Sequence, residues 1–180
     1  MKKQLPAPME IKCSAFHLPR YHEITNVGLY LEQVVRYVNS YLTPLGVQPI
    51  TSNMVSNYVK QKTIPHPIKK CYDQECLAYL MFVSIVKTSL PMEDIRFMIQ
   101  LQKKNYDLIT AYDYFCAEFE NILDIVFGYK PVTDLTAPST SKEKELLRNT
   151  IITVSRQIYL HQYLIHMHET LNLEAEIIRK

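Results

Sequence analysis

The chain has 180 residues, 47% of them hydrophobic, which is enough to bury a real core as one domain or as a head with an appendage. Its only glycines are Gly28, Gly46 and Gly128, which excludes a glycine-rich phosphate loop. The formal net charge of +2 hides an asymmetry: residues 1–70 hold nine Lys/Arg against three Asp/Glu, and residues 71–180 hold eleven against fifteen. A basic front half suggests a polyanionic partner and leaves the acidic remainder another task.

Residues 1–20 contain Pro6, Pro8 and Pro19 and read as an irregular arm. Arg20, Tyr21 and His22 close it, either tracking a polyanion or packing. No apolar stretch follows Lys2 and Lys3, so the start does not read as a secretory signal. Nor does any apolar run reach the ~18 residues a membrane span needs. Residues 29–42 read as an amphipathic helix, with Leu31, Val34, Val35, Val38 and Leu42 on one face. Pro44 and Gly46 break it, and Val47 and Ile50 are expected in the core.

The segment ITSNMVSNYVKQKTIPHPIKKCY, residues 50–72, carries the most specific signal. Thr51 is a good N-cap for a helix over 52–62. Met54, Val55, Tyr58 and Val59 form its buried stripe. Asn53, Ser56, Asn57 and Lys60 fall on the opposite side, extended by Gln61 and Lys62. Asn and Gln pair with adenine edges, and Lys reaches guanine or phosphate, so this face suits a major groove. A merely solvated amphipathic helix has the same periodicity but more often carries Glu and Asp, and this one has neither. Pro65 and Pro67 stop the helix. His66, Lys69 and Lys70 then place positive charge on a short loop or two-stranded wing, where such groups contact phosphate. The plainer alternative is a solvated basic turn. Helix, turn and helix follow in the order of a helix-turn-helix, with a connection longer than the minimal one.

Asp73 caps a third helix over 74–88 that is apolar nearly all round and should be buried. Pro91 is a favoured first helical residue, and Ile95, Met98, Ile99 and Gln102 follow at helical spacing, with Glu93 and Asp94 in the first turn. Leu108, Tyr112, Phe115, Phe119, Ile122 and Val126 make a heptad seam on a helix of roughly 106–128. Residues 129–141 read as a linker. A last helix, roughly 142–172, carries Leu147, Ile151, Val154, Ile158, His161, Ile165 and His168 in the same rhythm, flanked by Leu160, Leu164, Met167 and Leu171. The two long helices should pair as a hairpin whose second face is covered by the head, another subunit or a ligand. Tyr106, Tyr112, Tyr114, Phe115, Phe119 and Phe127 crowd one segment; they line a pocket for a flat apolar effector or simply pack.

Catalytic, metal and cofactor sites are not expected. Cys13, Cys71, Cys76 and Cys116 are scattered and read as reduced thiols of a cytoplasmic protein, and Cys71 and Cys76 lack the second pair a zinc site needs. His161, His166 and His168 crowd the last helix, and His161 and His168 share its seam seven apart; a metal or pH-sensing role at a helix interface is the alternative there to the default of packed or partly exposed histidines. Neither a nucleophile elbow nor a His-Glu-x-x-His pattern occurs, so an enzyme is not expected.

Residues 50–102 resemble the MerR-like winged-helix head. The helix at 52–62, the Ile64-Pro65 exit, the basic wing, Tyr72 before an acidic cap, and Leu90, Glu93, Asp94 and Ile95 opening the next helix stand in that family's order. That family's Arg-Tyr-Tyr signature is here Ser56-Asn57-Tyr58. Over residues 15–125, including LPRYHEITNVGLYLEQV, the chain also resembles the bacterial domain of unknown function 1836 family. The resemblance implies an all-α fold: a winged helix-turn-helix head over 1–104 with at most a small β wing, and a helical dimerisation or effector part over 105–180. It implies a homodimeric transcription regulator on double-stranded DNA. Asn53, Ser56, Asn57 and Lys60 would read bases, and Thr51, Lys62, His66, Lys69 and Lys70 would hold phosphates. A small apolar effector is a candidate partner. The alternatives are a protein-interaction adaptor and a small-molecule-binding helical protein, each on the same frame without DNA.

Overall fold

The computed structural model describes residues 16–132 and 141–178, with side chains as far as residue 171. Cys13 and most of the Pro-rich arm and of the 129–141 linker lie outside the described residues. Within them the fold is all-α, with six α-helices: α1 (Leu31–Leu42), α2 (Ser52–Lys60), α3 (Gln74–Val86), α4 (Met92–Asn105), α5 (Leu108–Val126) and α6 (Lys142–Ile178). None is long and apolar enough to cross a membrane.

Side-chain caps set three of the helix starts. Thr51, Asp73 and Asp107 each accept a hydrogen bond from a backbone N–H of the first turn, at Met54, Cys76 and Thr110. Pro91 lies one position earlier than its sequence suggests, as the cap of α4 rather than its first residue. Helix α3 is buried on nearly every face and forms the centre of the molecule. Its half-buried Phe82 meets Phe115 of α5 edge to face, with centroids 5.1 Å apart.

Helix α1 buries Val34, Val38 and Leu42. The connection to α2 is held by a 3-10 turn over Thr43–Leu45, by Gly46 in the left-handed region (φ 66°), and by Asn39. The Asn39 amide donates to the Ile50 carbonyl oxygen (3.0 Å) and accepts from the Ile50 N–H (2.9 Å), closing the long turn back onto α1. Ile50, Leu45 and Val47 are buried, as their pattern requires.

The seam of α5 is buried at Tyr112, Phe115, Phe119 and Ile122 and packs along α6. The seam of α6 is buried at Ile151, Val154 and Ile158 only. Beyond that point Gln162 takes the last inward place, donating to the Leu45 carbonyl oxygen (2.9 Å), and His161, Ile165 and His168 are not buried. The 4–3 rhythm continues past the end of its partner: α5 spans 19 residues and α6 spans 37. The core is one continuous cluster from Leu18 to Ile158, crossing the turn between α4 and α5.

The arm packs. The Arg20 guanidinium grips the Glu120 carboxylate of α5 with two hydrogen bonds (2.7 and 2.6 Å), and the Leu18 N–H donates to the same carboxylate (2.8 Å). The Tyr21 N–H donates to Asp113 (2.7 Å), and Leu18 is fully buried. Arg20 is therefore committed within the fold.

Candidate nucleic-acid interface

Helix α2 stands on the core by Val55 and Tyr58, which are buried, with Met54 and Val59 half-buried beside them. Asn53, Asn57, Lys60 and Gln61 are exposed on the other side, as expected. Ser56 is only half-buried rather than fully outward. Its hydroxyl donates to the Ser52 carbonyl oxygen one turn earlier (2.9 Å), so only its lone pairs remain for a partner. Thr51 is exposed and, although it caps the helix, keeps its hydroxyl proton.

The helix ends at Lys60, two residues before the sequence expectation. The Lys62 N–H donates to the Val59 carbonyl oxygen (3.0 Å) and the Thr63 N–H to that of Tyr58 (2.9 Å), the paired bonds of a Schellman turn. Lys62 occupies the left-handed position of this turn (φ 55°), where Gly is usual. The missing glycine is why the end was not visible in the sequence.

After Pro65 and Pro67 the chain makes a two-residue hairpin. The Ile68 N–H and the Cys71 carbonyl bond at 3.0 Å, and the Cys71 N–H and the Ile68 carbonyl at 2.9 Å. The two residues at its tip are Lys69 (φ 50°) and Lys70 (φ 66°). Positive φ at both central positions is the geometry of a type I′ turn, which Asn-Gly fills at least cost. The base of the hairpin continues into Tyr72, which pairs with Leu29 through bonds of 2.9 and 2.8 Å. Gly28 allows this approach, since a Cβ there would lie 2.9 Å from the Cys71 Cβ. The Cys76 thiol donates to the Pro65 carbonyl oxygen (3.6 Å), and burial pushes its pKa up to about 12, so it acts as packing.

Lys62, His66, Lys69 and Lys70 are thus exposed on one continuous stretch leading away from the amide face of α2. The His66 Nδ1 lies 3.0 Å from the Pro67 carbonyl oxygen. All three lysines occupy left-handed backbone, which costs a non-glycine residue roughly 1–2 kcal/mol each.

The fold adds two cations that the sequence reading omitted. The Arg96 guanidinium of α4 donates to the Gln61 side-chain oxygen (3.2 Å), at the C-terminal end of α2. Lys87 lies half-buried with its Nζ 3.9 Å from the Met54 sulfur, and burial lowers its pKa. Neither had a local signal, because α4 and the end of α3 reach α2 only through tertiary packing. An acid is present too: the Ser52 hydroxyl donates to Glu32 of α1 (2.7 Å) at the start of α2. Among the described residues no group of three or more His, Cys, Asp or Glu could hold a metal ion. His161 and His168 are exposed on α6, and His166 is half-buried there.

Comparison with curated proteins and with solved structures found no match. A family model described as "Domain of unknown function (DUF1836)" matches residues 19–115. That span includes α1 through α4, the hairpin and the start of α5, and so the whole of this surface. The chain belongs to the DUF1836 family.

Proposed function

We propose that this chain is a dimeric, non-enzymatic regulator of transcription that binds double-stranded DNA in a sequence-specific way. In this reading α1, the Asn39-closed turn and α2 act as a MerR-like helix-turn-helix, and the 68–71 hairpin is its wing. Asn53 and Asn57 read base edges, with Lys60 reaching guanine or phosphate and Ser56 offering an acceptor. Thr51, Lys62, His66, Lys69 and Lys70 hold the backbone, and Arg96 extends that row past the end of α2.

The observation that carries the reading is the triplet of lysines in left-handed backbone beside an amide-bearing helix that itself holds no acid. Glycine or asparagine would make both turns at less cost, so the strain is accounted for if the ammonium groups are needed where they are. Dimerisation is supported by the outer part of α6. Leu160, Leu164, Met167 and Leu171 are all 41–56% exposed, at the 4–3–4 spacing of a helix-pairing seam. A second copy offers the same seam in return.

Selection of bound duplexes from a random pool by the purified protein tests the reading. The expected outcome is an enriched motif of two related half-sites, one for each head. Asn57→Ala should relax one position of each half-site, losing about 1–3 kcal/mol of discrimination there. An unenriched pool at low and moderate salt would leave the adaptor reading, which Glu32 beside Ser52 and the 71% exposure of Ile68 on the hairpin favour.

A further inference from the structure

A cavity of about 160 Å³ lies between α3, α4, α5 and the first turns of α6, away from the α2 face. Four of the six aromatics that the sequence crowds together line it: Tyr106, Tyr112, Tyr114 and Phe115. Phe119 and Phe127, fully buried in the core, are not among its lining residues. Its mouth opens to solvent beside the exposed Thr110 and Leu146, so it is a pocket that a guest can enter rather than a sealed void. Its volume is close to that of a roughly 150 Å³ apolar cavity that takes up benzene.

Two features narrow the occupant. The wall is overwhelmingly apolar, with Gln102 among its few polar side chains. The Gln102 amide donates to the Tyr106 carbonyl oxygen (2.8 Å) and accepts from the Tyr79 hydroxyl (3.3 Å). An amide has two N–H groups and two lone pairs, so one of each remains for a guest. The charged lining residues are Glu143 and Lys144, which carry opposite signs, and the Lys144 ammonium sits over the Tyr114 ring at 5.1 Å. Neither sign of ligand charge is favoured, and an ion would lose its hydration in an apolar site.

We propose that this cavity binds a neutral, flat molecule of one or two fused aromatic rings with a single hydrogen-bonding group, of the phenol or indole class. The rings fill the space among the aromatic walls, and the polar group meets Gln102. An occupant touches four helices at once and so tightens the start of α6 onto α3, α4 and α5. The proposal does not rest on the DNA reading.

The chain has no tryptophan, so indole itself can be the probe, excited to the red of tyrosine absorption. The full chain should shift indole emission to the blue saturably, and indole and phenol should both raise its melting temperature. Ala111→Phe fills the cavity and should weaken indole binding by roughly tenfold or more while the circular dichroism melt persists. If that variant does not fold, Leu108→Phe at the same wall serves instead. Gln102→Leu should abolish any preference for phenol over toluene. Absence of a saturable shift in the unaltered chain, or an equal shift in a folded filled variant, would overturn the site. Binding of benzoate with exclusion of indole would overturn the neutral class.

Discussion

Helix α2 and the outer part of α6 are both exposed, for opposite physical reasons. The outward side of α2 holds amides and a lysine that water already satisfies, so its exposure costs nothing and says little about a partner. The outer part of α6 holds Leu160, Leu164 and Leu171, each about half exposed or more. Full burial of a leucine contributes about 1.5–3 kcal/mol, so this surface forgoes stabilisation for as long as it is alone. The lysines beside α2 add what its polarity lacks: their left-handed backbone is a cost that needs a reason. One surface therefore suits a charged, hydrogen-bonding partner and the other an apolar one.

The largest effect is expected on the apolar side. Leu160→Glu with Leu164→Glu should convert a dimer to a monomer in sedimentation, weakening association by roughly 3–6 kcal/mol. The melting of the body should hardly change, because α6 docks on it only as far as Gln162. A dimer that survives both charges would place the interface elsewhere. Asn39→Ala comes next: it leaves the Ile50 N–H and carbonyl without their side-chain partner and should cost about 1–3 kcal/mol in urea unfolding. If stability is unchanged, the turn before α2 is held by its apolar residues alone. The smallest effect has the opposite sign. Lys69→Asn with Lys70→Gly gives the hairpin its preferred residues and should stabilise the fold by about 1–2 kcal/mol while weakening DNA binding. A variant that gains stability and keeps its DNA affinity would mean that the strain serves no DNA contact.

Much of this was legible in the sequence. Thr51 and Asp73 announced the starts of α2 and α3, because a cap needs only its own first turn. The stripe Val55 and Tyr58 and the seam from Tyr112 to Ile122 were legible because burial repeats with the helix. What escaped depends on residues far apart in the chain or on backbone that a side chain does not advertise. Glu120 takes up Arg20 from a hundred residues away, and Arg96 meets Gln61 across two connections. The left-handed turns at Lys62, Lys69 and Lys70 lacked the glycine that normally marks them. The rhythm of α6 misled past Ile158 because periodicity tells which side is apolar, not where the covering helix stops.

The central claim is that the lysines of the hairpin meet nucleic-acid phosphate. It is tested most directly by the salt dependence of duplex binding, followed by fluorescence anisotropy in the unaltered chain and in Lys69→Ala with Lys70→Ala. The account predicts weaker binding to every sequence in the variant, and a slope of log K against log salt smaller by about two units. Equal affinity and equal slope in the two proteins would contradict it.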